Sequence, residues 1–347
     1  STTFERAPDG AFPGGHIYSR QSNPNRAMLE EALALMENGA ASLAFSSGNA
    51  ASLALLQALA PGDHVIAGDD VFYGTAVLLK QTLGSWGLKA SFVDMRDRAN
   101  VERALTPATK LIWIETPSNP LLNIVDILAM AGIAKKAGVL TAVDNTWATP
   151  LLQRPLELGC DIAMHSATKY LSGHSDVLMG ALVFRERGQL FDKVKAIQHA
   201  GGAVPSPFEC WLTLRGLQTF PYRVRAQSES AQRVAEFLAK QPQLDAVHYP
   251  GLTKHPGHKV SAVQMASFGG MLSVQVKGGA PQAFKLVAGL KLFTRATSLG
   301  GTHSLIEHRA SVEGPGTRTP QNLLRLSIGL EHPDDLIEDL DQALKQI

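Results

Sequence analysis

Between Ala27 and Glu37 the apolar residues Met28, Leu29, Ala32, Leu33 and Met36 recur at helical spacing, and Asn38-Gly39 supplies a stop. The pattern predicts a helix with one buried stripe. Before it, residues 1–26 hold clusters of Gly, Pro, Ser and Asn (Pro13-Gly14-Gly15, Ser22-Asn23-Pro24-Asn25) with little periodicity, as an irregular arm would. After it, short β-rich runs alternate with longer helical ones. They read as a strand Leu43 to Phe45, a helix Ala50 to Ala60 closed by Pro61-Gly62, a strand His64 to Ala67, a helix near Thr75 to Leu83 and a strand Ala90 to Val93. The alternation continues through Lys110 to Ile114, a helix Ile124 to Ala137, and strands Val139 to Val143 and Asp161 to Met164. Short apolar strands separated by helices imply right-handed βαβ crossovers and a mainly parallel sheet covered on both faces. Ligands of such sheets bind beyond the carboxyl ends of the strands, which is where candidate chemistry is sought.

The texture then changes. Long helical patterns fill Gln189 to Gln241, followed by a strand Met271 to Val276, a helix, a strand Leu323 to Ile328 and a closing helix from Pro333. This reads as a smaller α+β unit, so the expected organisation is an arm over 1–26, a large α/β domain over 27–215 and a small domain over 216–347.

Composition narrows the function. Charged residues make up 18% of the 347 and the formal net charge is +1, so no positive excess exists to grip nucleic acid or an anionic membrane, and a small-molecule partner is expected. The two cysteines, Cys160 and Cys210, form no short motif, which argues against a disulfide framework and a tetrahedral cysteine metal site and suggests a reducing compartment. No run is apolar over the ~20 residues of a membrane span and no secretion signal opens the chain, so a cytoplasmic protein is expected.

Three strand ends converge on polar residues: Val139 to Val143 runs into Asp144-Asn145-Thr146, Lys110 to Ile114 into Glu115-Thr116-Pro117-Ser118-Asn119-Pro120, and Asp161 to Met164 into His165-Ser166-Ala167-Thr168-Lys169. A lysine just after a buried strand is partly desolvated, which lowers its pKa toward the neutral amine that attacks carbonyls. A carboxylate at a neighbouring strand end can keep a pyridine nitrogen protonated. Ser166 and Thr168 offer hydroxyls to a phosphate, and Gly48-Asn49 at a helix start offers backbone N–H groups and a positive dipole end. Alone, Asp144 reads more readily as a turn former or cap, and Ser-x-Thr-Lys more readily as an exposed polar turn. Their joint occurrence, 25 residues apart with one helix-sized segment between, favours a shared site. On the strand Leu323 to Ile328, Leu324, Leu326 and Ile328 share one face while Arg325 and Ser327 share the other, so a guanidinium fork suited to a carboxylate can face a cleft.

Taken together, the chain resembles the Cys/Met-metabolism family of pyridoxal-phosphate enzymes over essentially its whole length. The resemblance rests on Tyr18-Ser19-Arg20, Ser47-Gly48, Asp70-Val71-Phe72-Tyr73-Gly74, Glu115 to Pro120, Asp144 to Pro150, Ser166 to Tyr170, Gly173-His174-Ser175-Asp176 and Ser298-Leu299-Gly300-Gly301. It implies the aspartate-aminotransferase-like fold, type I, and pyridoxal 5'-phosphate as cofactor. Lys169 would carry the cofactor and shuttle protons, Asp144 would pair with the ring nitrogen, and Tyr73 would stack on the ring and act as acid or base. Gly48, Asn49, Ser166 and Thr168 would hold the phosphate, joined by Tyr18 and Arg20 from a neighbouring subunit. Asn119, Arg325 and Ser298 would meet the amino-acid substrate. The active unit implied is a homodimer, normally paired into a homotetramer.

The chain departs from the family pattern at several points. Family members begin several tens of residues earlier, so Ser1-Thr2-Thr3-Phe4 resembles an internal segment and a shortened arm is expected. Asn49 stands where methionine is common and Asn25 where threonine is common. Thr75 stands where methionine γ-lyases carry cysteine, and Thr297 matches neither the glutamate of the γ-synthase and γ-lyase nor the tyrosine of the β-lyase. The resemblance implies transsulfuration by γ-elimination or γ-replacement, as cystathionine γ-lyase or γ-synthase performs. Cystathionine β-lyase, O-acylhomoserine sulfhydrylase and methionine γ-lyase activities remain open. A dinucleotide oxidoreductase would need a Gly-x-Gly-x-x-Gly turn that does not occur, and His303 to His308 has no zinc spacing and is expected in a polar loop. No metal is expected.

Overall fold

The structure, a computed structural model, describes residues 1–313 and 317–347. Helix α1 (Pro24–Met36) starts before Ala27 because Asn23 caps it, accepting the Asn25 N–H, and Pro24 takes the first turn, where its missing N–H costs nothing. Strand β1 (Ala41–Phe45) leads to α2 (Gly48–Gln57), capped by the Ser47 hydroxyl, which accepts the Ala50 N–H at 3.1 Å. Strand β2 (His64–Gly68) follows. The helix expected near Thr75 to Leu83 is instead three pieces: α3 (Tyr73–Val77), a π-helical turn Leu78–Thr82, and α4 (Leu83–Trp86), which ends at left-handed Gly87. Next come β3 (Lys89–Val93), α5 (Arg98–Ala104), β4 (Thr109–Glu115), α6 (Ile127–Ala137), β5 (Leu140–Asp144), α7 (Thr149–Leu152), β6 (Ile162–His165) and β7 (Gly180–Phe184).

These strands form a seven-stranded sheet in the order β1-β7-β6-β5-β4-β2-β3. All neighbours run parallel except those of β7, which is antiparallel to β1 and β6. The centre is buried on both faces; Ile66, Ile112, Trp113 and Val143 are fully covered, each such side chain worth about 1.5–3 kcal/mol of transfer free energy. The parallel register sets Glu115 beside Asp144 and Asp144 beside Met164, so the carboxyl ends of β4, β5 and β6 lie side by side.

Helices α8 (Gln189–Gly201), α9 (Pro207–Leu217) and α10 (Phe220–Leu238) lead away from this sheet. The remaining elements are β8 (Leu244–His248), α11 (His258–Gln264), β9 (Met271–Val276), α12 (Ala280–Gly289), β10 (Thr294–Arg295), β11 (Leu305–His308), α13 (Arg309–Glu313), β12 (Leu323–Ser327) and α14 (Pro333–Leu344). The strands make a second sheet, β10-β11-β12-β9-β8. Leu324 and Leu326 pack with Leu336 and Leu340 in its core. Arg325, two-faced alternation having turned it the other way, points to the first sheet's loops and donates to Asn119 Oδ1 at 3.1 Å. The expected polar loop over His303 to His308 is corrected: β11 occupies most of it and is wholly buried, because it is hydrogen-bonded between β10 and β12.

Candidate active site

The ends of β4, β5 and β6 open on a cavity of about 270 Å³ lined by Glu115, Asn119, Asp144, Ser166, Thr168 and Lys169 together with Gly48 and Asn49. Residues far apart in sequence reach it by ordinary means. The α2 N-terminus meets the β6 end because Gly180 opens β7: a Cβ there would lie 2.2 Å from the Ser47 carbonyl oxygen. At Gly48 a Cβ would come within 3.0 Å of the Ser166 Cβ and fill the cradle between them.

Among the described residues, the Gly48 and Asn49 N–H groups and the Ser166 hydroxyl have no acceptor or donor in the protein, and all three residues face the cavity. A helix N-terminus with free N–H groups suits a phosphate. Thr168 lines the same wall, but its hydroxyl donates to the Met179 carbonyl at 3.1 Å and accepts the Met179 N–H at 2.8 Å. It therefore secures the loop behind the cradle.

Asp144 Oδ1 accepts the Thr146 N–H at 3.0 Å. Burial raises its pKa, while the Thr146 hydrogen bonds and the charge of His165 pull it back. Burial raises the Glu115 carboxyl well above its usual range, and the neighbouring Asp144 raises it further, although Glu115 accepts the Phe72 N–H at 2.7 Å. Two buried carboxyls side by side favour one shared proton, and a cationic ring nitrogen beside Asp144 would relieve that repulsion. Glu115 entered the sequence reading only within a motif, since its pairing with Asp144 depends on strand register.

Burial, and then the charge of Arg325, lower the Lys169 amine to about 8; its Nζ donates to Ser298 Oγ at 2.9 Å. Ser298 is held at a left-handed φ of 123°, and its carbonyl accepts from Arg325 Nη2 at 3.2 Å. Lys169, Ser298, Arg325 and Asn119 are thus directly linked. Two buried neighbours of Arg325 were not singled out as site residues in the sequence: Glu307, whose Oε2 accepts from Arg325 Nη2 at 2.7 Å, and Arg309, which donates to the same oxygen at 2.8 Å.

Tyr73 is half exposed and lines an adjoining cavity of about 440 Å³ rather than the first; Asn119 lines both. Tyr18 and Arg20 line neither. Arg20 donates to the His199 carbonyl at 2.8 Å and the Tyr18 ring is exposed. No group of three or more His, Cys, Asp or Glu among the described residues could hold a metal ion, and no described helix is long and apolar enough to cross a membrane.

The family model for Cys/Met metabolism PLP-dependent enzymes matches residues 1–345. The chain belongs to this family. It is an enzyme with pyridoxal phosphate as cofactor, and its cavity fits that group: free N–H donors for a phosphate, an acid for a ring nitrogen and a desolvated amine for an aldehyde. The chain is 47% identical to the cystathionine gamma-synthase of Mycobacterium tuberculosis over 350 residues, covering 99% of this chain and 90% of that protein. It is 44% identical to the cystathionine beta-lyase of Coxiella burnetii over 353 residues, covering 99% and 91%. The crystal structure of metB from Corynebacterium glutamicum superposes with a TM-score of 0.97 at 41% identity, covering 100% of this chain and 91% of that one.

The lowered amine has a testable consequence. A pKa near 8 leaves about a tenth of Lys169 neutral at pH 7, and the neutral fraction grows until pH passes 8. In the apoprotein, acylation of Lys169 by an amine-selective reagent, followed on its tryptic peptide, is expected to rise roughly tenfold per pH unit and level off above about pH 8. A rise continuing past pH 10 would mean that burial does not discharge this amine.

Proposed function

We propose that the chain is a transsulfuration enzyme working at the γ carbon of an amino acid, by γ-elimination or γ-replacement, in the manner of a cystathionine γ-lyase or γ-synthase. The observation that carries this reading is the single cavity shared by Lys169 and Asp144, with Arg325 and Asn119 hydrogen-bonded together at its side. Bound pyridoxal phosphate supplies an aldehyde for condensation with amines and a ring that draws electrons from the substrate α carbon.

The chain's own residues supply the rest. Gly48, Asn49 and Ser166 would hold the phosphate with their free donors, while Thr168 braces their wall. Asp144 would pair with the ring nitrogen, whose positive charge would favour the ionised carboxylate. Arg325 and Asn119 take the substrate carboxylate, and Ser298 orients Lys169. Lys169, neutral above about pH 8, removes a proton from Cα and then moves one at Cβ, so that a substituent on Cγ can leave. Tyr73, which lines the adjoining cavity, is the residue that would stack over the ring and serve as second acid or base. Tyr18 and Arg20, which line neither cavity, would complete the phosphate site of a partner in a homodimer, which pairs into a tetramer in the cytoplasm. The exposed aromatics Phe208 and Trp211, stacked at 5.8 Å on α9, are in keeping with such an assembly.

The γ reading is favoured over β-elimination by the segments Glu115 to Pro120 and Ala203 to Phe208, which resemble γ-type members, and by the 47% identity to a γ-synthase. Incubation with cystathionine tests it: cysteine, 2-oxobutanoate and ammonia are expected. Incubation of O-succinylhomoserine or O-acetylhomoserine with cysteine is expected to yield cystathionine if replacement dominates. Homocysteine and pyruvate as the sole products of the first assay, with no product in the second, would contradict the γ reading.

A further inference from the structure

Arg325 is not the only guanidinium buried beside the candidate carboxylate site. Arg309, the first residue of α13, is 4% exposed, as is Arg325, and both donate to Glu307 Oε2, at 2.8 and 2.7 Å. The other oxygen of Glu307 accepts the Thr297 hydroxyl. Arg309 then reaches outward, donating from Nη2 to Glu313 Oε1 at 2.9 Å; Glu313 Oε2 accepts the hydroxyls of Thr317 and Thr319. Its Nε has no acceptor among the described residues, so these two carboxylates hold it. Glu313, Thr317 and Thr319 line the outer cavity together with Tyr73 and Asn119.

The arrangement poses a question of competition. A buried arginine needs an anionic partner, yet an arginine locked in an exclusive pair with a glutamate is a poor receptor for an incoming carboxylate. Glu307 with Arg325 alone would be such a pair. Arg309 divides the charge of Glu307 between two guanidiniums, and Lys169 adds a third nearby cation when protonated. The inner group of Arg325, Arg309 and Glu307 keeps one net positive charge, and Arg325 delivers it to Asn119, which lines both cavities.

We propose that Arg309 is a positioning residue for substrate-carboxylate recognition: by sharing Glu307 with Arg325, it keeps the Arg325 guanidinium available to the substrate, and through Glu313 it ties that site to the rim of the outer cavity. The inference rests on the reading that Arg325 receives the substrate carboxylate. It places a determinant of KM on a residue that touches neither substrate nor cofactor.

The test uses the holoenzyme with whichever amino acid it turns over, and propanoate, a carboxylate without an amine, as competitive inhibitor. Arg309→Met is expected to raise KM and the propanoate Ki together by roughly tenfold, the scale of one charge-assisted hydrogen bond, with the loss falling on KM rather than on kcat. Arg309→Lys should recover part of it. Adding Glu307→Gln to Arg309→Met should bring both constants back toward the parent, because a neutral amide does not capture Arg325. A merely structural role would make the double variant worse than the single one, and that result would overturn the proposal. Arg325→Ala is measured alongside. If its KM rises while Arg309→Met leaves KM and Ki unchanged, the positioning role falls alone; if neither variant moves KM, the carboxylate reading falls with it.

Discussion

Lys169→Ala protein is expected to purify without the yellow absorption of the bound cofactor and to lose turnover by at least ~10²–10⁴-fold, the range for removing a positioned acid-base group. The size of the effect follows from how many tasks converge on one amine. Its Nζ is partly buried at the end of β6, discharged to about 8, and aimed by Ser298 Oγ at 2.9 Å into the cavity that Asp144 lines. No other lysine lines that cavity, so no neighbouring amine can substitute. The fold should survive, since burying a methyl in place of an amine removes a desolvation cost. Absorption spectra and steady-state rates check the expectation. A colourless variant with parental activity would refute the cofactor assignment.

The second large effect is on substrate binding. Arg325→Ala is expected to raise KM roughly 30-fold or more, since truncating one partner of a buried charged pair typically costs 2–5 kcal/mol, while cofactor absorption stays nearly parental. Arg325 touches Asn119 and Ser298 but none of the groups assigned to the phosphate or the ring nitrogen. Glu307 retains Arg309 and Thr297, so the substitution does not leave that carboxylate unpaired. An unchanged KM, with cofactor bound, would remove Arg325 from the substrate site.

Much of this was legible in the sequence because it is local. The alternation of short apolar strands with helices announced the parallel sheet, and the polar residues after β4, β5 and β6 announced a site at its carboxyl edge. Period-two alternation showed that Arg325 would leave the apolar face of β12. What stayed hidden depends on tertiary register. β7, the antiparallel strand, follows β6 with no helix between them, so the alternation of strands and helices did not mark it, yet it seats α2 against β6. The pairing of Glu115 with Asp144 requires knowing which strands are neighbours. The burial of Arg309 against Glu307, and its pairing with Glu313, depend on the same kind of register, that of β11 against β12. Tyr73 and Thr168 are the instructive cases: both motifs were found, but the first side chain sits in the adjoining cavity and the hydroxyl of the second is already committed to Met179.

The most direct measurement is to reduce the yellow holoenzyme with borohydride, digest it, and locate the phosphopyridoxyl group by mass spectrometry. The label is expected on Lys169, in the peptide containing Ser166-Ala167-Thr168, and on no other lysine. A label on a different lysine, or none on a protein that retains its colour and activity, would contradict the placement of the chemistry at the end of β6.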